Sequence, residues 1–121
     1  MVKLQLTHKQ AKEVLRVSSN RTWRSHLTTI GIDSTVSILD WSQLEALYAL
    51  QLYLSVRTGQ HSKSEFAQIY REKGLTPIKD TIRSHGFHYD QAVQLFIETL
   101  RRFKSELLET ELLEISNSEE K

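Results

Sequence analysis

Residues 7–30 read THKQAKEVLRVSSNRTWRSHLTTI, and this stretch decides the fold. Thr7 with Gln10 three residues later is the pattern of a capping box, so a helix is predicted to open here with Ala11, Val14 and Leu15 as its apolar stripe. The run Val17-Ser18-Ser19-Asn20 breaks that pattern, because Ser and Asn side chains hydrogen-bond to nearby backbone in competition with a continuing helix. A second helix is predicted from Arg21 to Ile30. Its apolar residues Trp23, Leu27 and Ile30 fall at i, i+4 and i+7, which leaves Arg21, Ser25 and Thr28 facing away and Arg24 at their flank. Trp23 stands at core spacing and is expected to be packed rather than stacked on a ligand.

Outward from this pair, Gly31 ends the second helix by taking positive φ, Asp33-Ser34 reads as a turn, and Val36-Ser37-Ile38 alternates like a short extended piece. Any sheet is therefore minimal. Asp40 with Gln43 caps a helix from Trp41 to Arg57, apolar almost all round and so expected at the centre, with too many polar interruptions to span a membrane. Ser62-Lys63-Ser64-Glu65 reads as another capping box, opening a helix that carries Phe66, Ile69 and Tyr70 up to Gly74. Thr76-Pro77 caps a shorter helix that Gly86 ends. Asp90 begins the last, running to about Ile115, and residues 116–121 are expected to form a disordered tail. The fold class is mainly all-α, with residues 1–58 as one region and 59–115 as a helical second region.

The 121 residues suit one domain. With no cysteine there is no disulfide framework, thiolate nucleophile or cysteine metal site, and the first ten residues lack the apolar run of a secretory leader, so a cytoplasmic protein is expected. Charge is unevenly spread. Residues 1–32 hold six Lys and Arg against Glu13 alone, whereas residues 105–121 hold six Glu and one Lys. A basic end suggests a polyanionic partner; a solvated cationic helix face is the plain alternative. His85, His88 and Asp90 lack helical ligand spacing and a further ligand, and His8, His26 and His61 have no acid or nucleophile beside them in the sequence. No catalytic residues, metal or cofactor are expected.

The residues Leu6-Thr7, Ala11, Leu15, Val17-Ser18, Thr22, Arg24, Gly31-Ile32 and Ile38-Leu39-Asp40, followed by Leu44-Glu45-Ala46-Leu47, resemble the pattern of MerR-like and excisionase-like helix-turn-helix DNA-binding domains, over about residues 6–50. Three places depart from it: the turn is one residue longer, Arg16 stands where that family tends to have a turn glycine, and His26 replaces a bulky apolar residue. The resemblance implies that the second helix lies in the major groove of double-stranded DNA while the first crosses the backbone. Arg21 and Arg24 would then reach guanine, and Ser25 and Thr28 base or phosphate. Lys9, Lys12 and Arg16 would anchor phosphate, and Ser19 and Asn20 would stand at the helix entrance as caps or contacts.

The C-terminal stripe bears on assembly. Leu100, Phe103, Leu107, Leu108 and Leu112 are spaced to pair with a second copy, giving a homodimer that would present two recognition helices to successive half-sites. Within that stripe, Val93 to Phe103 is expected mostly inside the chain and Leu107 to Ile115 open to a partner. A rival reading is a helical adaptor that binds no nucleic acid and docks another protein on this stripe.

Overall fold

The computed structural model describes residues 4–33 and 35–119, with side chains described as far as Leu107. In chain order the elements are β1 (Leu6–Thr7), α1 (His8–Leu15), α2 (Asn20–Ile30), β2 (Ile38–Leu39), α3 (Trp41–Val56), α4 (Ser62–Lys73), α5 (Thr76–Ser84) and α6 (Tyr89–Glu119). The fold is mainly helical. No helix among the described residues is long and apolar enough to cross a membrane.

The first helix pair forms for the reasons its sequence states. Thr7 Oγ1 accepts from the Gln10 N–H at 3.2 Å, while the Gln10 side chain accepts from the Thr7 N–H at 3.0 Å. Ser19 caps α2 by accepting from the Thr22 N–H at 3.3 Å, so Asn20 is the first helical residue rather than the cap. Arg16 closes α1 at φ 58, with its N–H turned back to the Glu13 and Lys12 carbonyls. The glycine-like turn is thus made by an arginine in the left-handed region, which costs about 1 kcal/mol for a residue with a Cβ. Gly31 does the same for α2 at φ 87 without that cost.

β1 and β2 pair antiparallel, with Leu6 opposite Leu39 and Thr7 opposite Ile38. Leu6 and Leu39 point inward and Ile38 outward. The extended piece near Ile38 was legible; its partner Leu6–Thr7, two residues long, carries no strand pattern of its own.

α3 occupies the centre because it is apolar on two sides. Leu44 and Leu47 pack with Leu6, Ala11, Leu15, Trp23, Leu27 and Leu39, whereas Ala49, Leu50 and Tyr53 pack with Phe66, Ile78, Ile82, Tyr89 and Val93. α6 joins both clusters, Val93 in the second and Phe96 and Leu100 in the first. The two sequence regions therefore share a core. Tyr48 of α3 stacks on Phe96 of α6 with ring centroids 4.3 Å apart.

Several expectations are corrected. The capping box at 62–65 does not form: Ser62 is buried and donates to the Arg57 carbonyl, and the Glu65 carboxylate is taken by Arg57 at 3.0 Å and the Tyr53 hydroxyl at 3.2 Å. Thr76 lies inside α5 and makes no side-chain cap, so Pro77, expected at the first helical position, is the second residue of the helix. α6 starts at Tyr89, because that ring is buried in the second cluster, and it runs past Ile115 to Glu119, through most of the segment expected to be disordered. Residues 120 and 121 lie outside the described residues. Leu100 is 0% exposed, enclosed by its own chain, and is not a dimer contact. Phe103 packs partly against the first cluster and Leu107 is half-buried; the side chains of Leu108 and Leu112 lie outside those described.

Candidate functional site

Between α1 and α2 runs an open groove of about 590 Å³, its rims formed by Lys9 and Lys12 on one side and Asn20 and Arg24 on the other, with His8 and Trp23 at its floor. Glu13 is the one carboxylate among its lining residues. The groove keeps its shape through a relay of two hydrogen bonds. Trp23 Nε1–H donates to His8 Nδ1 at 3.1 Å, so the proton of a neutral His8 ring sits on Nε2, which faces the Val36 carbonyl. One imidazole thereby ties α1 to α2 and to the loop before β2. At the far end of α1, Gln51 of α3 donates to the Leu15 carbonyl at 2.9 Å, satisfying a helix-end acceptor that would otherwise be orphaned.

The nine residues singled out on α1, α2 and their turn fall into three places. Lys9, Lys12, Asn20 and Arg24 line the groove, and Lys12 Nζ donates across it to Asn20 Oδ1. Arg21, Ser25 and Thr28 are exposed on the outward face of α2, opposite buried Trp23 and Leu27, as 100° per residue requires. Arg16 and Ser19 stand exposed in the turn between the helices. Trp23 is packed, 5% exposed, with its ring edge-on to His8.

Electrostatically the surface is one-sided. Arg57 pairs with Glu65, and Arg83 with Asp80 and Asp90, all away from this groove. Lys9, Lys12, Arg16, Arg21 and Arg24 join none of them.

Two neighbours of this face have surroundings that sequence reasoning did not foresee. Lys63, at the start of α4, donates to Ser25 Oγ at 2.7 Å; 38 positions separate them, and no local pattern signals such a contact. His26 is 7% exposed with its Nδ1 buried and unpartnered. Burial lowers the His26 pKa, helped by the nearby Lys63 charge, and burial lowers that of Lys63 as well.

The remaining histidines are placed differently. His85, which follows α5 as its C-cap, has its Nδ1 2.9 Å from the Thr81 carbonyl of that helix. Among the described residues no group of three or more His, Asp or Glu is placed to hold a metal ion. No protein-family model, no curated protein and no solved structure matches the chain.

Proposed function

We propose that this chain is a cytoplasmic double-stranded DNA-binding protein of the helix-turn-helix kind, a regulator or partition-type factor that acts by binding and performs no turnover. The observation that carries the reading is the set of five unpaired cations on α1, α2 and their turn, Lys9, Lys12, Arg16, Arg21 and Arg24, spread around a groove and an exposed polar helix face. A helix whose solvent side is Arg, Arg, Ser and Thr has the donors that base edges and phosphates accept, while its other side is locked into the core by Trp23 and Leu27. Lys9, Lys12 and Arg16 would meet the phosphate backbone flanking that helix. The resemblance of residues 6–50 to MerR-like and excisionase-like domains supports the same docking, with α2 in the major groove.

A homodimer belongs to the proposal. With Leu100 enclosed, the contact would begin near Leu107 and involve Leu108 and Leu112. Among the described residues the rival adaptor reading has in its favour Ile38, Phe87 and Leu95, large apolar side chains left 46%, 44% and 64% exposed, and isolated exposed residues of this sort are ordinary on a protein surface.

The test is fluorescence anisotropy of a mixed-sequence duplex across a salt series. Neutralising four or five phosphates makes affinity fall by about a hundredfold or more between about 50 and about 200 mM salt. Absence of binding by the folded protein at the lower salt would contradict the proposal.

A further inference from the structure

The hydroxyl groups on α2 differ in what they have left to offer a ligand. Thr28 Oγ1 donates its hydrogen to the Arg24 carbonyl at 3.0 Å, and Thr29 Oγ1 donates to the Ser25 carbonyl at 2.8 Å. A hydroxyl whose single hydrogen is engaged presents lone pairs only, so Thr28 faces outward as an acceptor. Ser25 is in the opposite state. The Lys63 ammonium donates to it at 2.7 Å, and an ammonium has three donors and no acceptor, so Ser25 Oγ must accept in this bond. Its own hydrogen stays available. Among the described residues no acceptor takes it.

We propose that Lys63 is a specificity-determining positioning residue, which holds Ser25 as a hydrogen-bond donor toward DNA and so makes α2 select acceptor-bearing base edges. The inference rests on the DNA-binding reading above and deepens it. Arg21 and Arg24 carry donors only, and with Ser25 fixed as a third donor their shared face is complementary to guanine, whose N7 and O6 are both acceptors in the major groove. Opposite Ser25, guanine O6 or thymine O4 fits, whereas the cytosine N4 amino group, itself a donor, meets a hydroxyl with one lone pair already taken and the positive Lys63 ammonium beside it, and is disfavoured. Thr28 complements a donor, the amino group of adenine or cytosine. Without Lys63 the Ser25 hydroxyl is able to rotate and serve either way, and the discrimination at that base pair disappears.

The contrasting role for Lys63 is a phosphate contact, which would add affinity evenly across sequences. Selection from a pool of randomised duplexes, read by sequencing, separates the two. The full chain, Lys63→Met, Ser25→Ala and Lys63→Arg are compared, each with its helicity verified by circular dichroism. The wild type is expected to favour guanine or thymine over cytosine at one position by about fivefold or more. Lys63→Met and Ser25→Ala are expected to lose that preference at the same position while the others persist, and Lys63→Arg, also a donor-only side chain, to retain it. A Lys63→Met profile identical to wild type, or weakened evenly at every sequence, would overturn the inference and leave the DNA-binding reading standing. Enrichment of no duplex by the wild type would overturn both.

Discussion

Trp23 and His8, fifteen residues apart, are joined by an indole N–H to imidazole hydrogen bond of 3.1 Å, with their rings edge to face at a centroid distance of 6.0 Å. The bond ties together the two helices that, with the turn between them, carry Lys9, Lys12, Arg16, Arg21 and Arg24. His8→Ala removes the acceptor of a partly buried donor and releases the Val36 carbonyl at the same time. A loss of about 1–3 kcal/mol in stability is expected, read as a lower urea midpoint with a change in Trp emission. Duplex affinity should fall with it, although no cation is removed.

Arg16 is under two demands. Its backbone at φ 58 suits glycine, while its exposed guanidinium suits phosphate. Arg16→Gly should therefore raise stability by about 0.5–1 kcal/mol through relief of the left-handed strain. The same substitution should weaken duplex binding and make its salt dependence shallower by about one ion. Thermal unfolding and anisotropy on one preparation check both signs.

His26 makes stability depend on pH in a definite direction. Its folded pKa lies below the ordinary value of 6.5, so the unfolded chain takes up a proton there while the folded ring stays neutral. The stabilisation this neutral burial needs is intact above about pH 6.5, and stability falls as pH drops through that value, levelling off below the folded pKa. His26→Leu removes both the titration and the unpartnered buried Nδ1. Urea titrations at about pH 7.5 and about pH 5.5 should show a smaller drop for the variant than for the wild type, with stability at the higher pH unchanged or raised by up to about 1 kcal/mol. An equal drop in both proteins would refute this assignment.

Leu100 distinguishes core from dimer contact. Leu100→Ala should cost about 2–5 kcal/mol, as for other enclosed leucines, with a loss independent of protein concentration. A loss that vanished on dilution would instead mark the residue as an intersubunit contact.

Where the chain's own local chemistry decides, the sequence was legible. The Thr7–Gln10 and Asp40–Gln43 boxes, the Gly31 stop and the α2 stripe all follow from neighbours three or four residues apart, and each is present as read. Misreadings arose where a distant group won the same atoms. Glu65 was drawn from its cap by Arg57 and Tyr53, and Ser62 by the Arg57 carbonyl, contacts made only once α3 and α4 pack. Leu100 was read both as mostly internal and as a dimer contact because spacing of three and four is shared by coiled coils and by helices on a core. Within the candidate site the cations were legible from charge alone, whereas the His8 relay and the Lys63 contact depend on tertiary neighbours.

Amide chemical-shift mapping of the labelled protein with a short duplex at about 50 mM salt shows most directly whether α2 reads DNA with its outward face. Shifts concentrated on Lys9 to Arg16 and Ser19 to Thr28, with the Arg21 and Arg24 side-chain resonances among the largest, are the expected result. Absence of shifts, or shifts confined to α5 and α6 with α2 untouched, would contradict that reading.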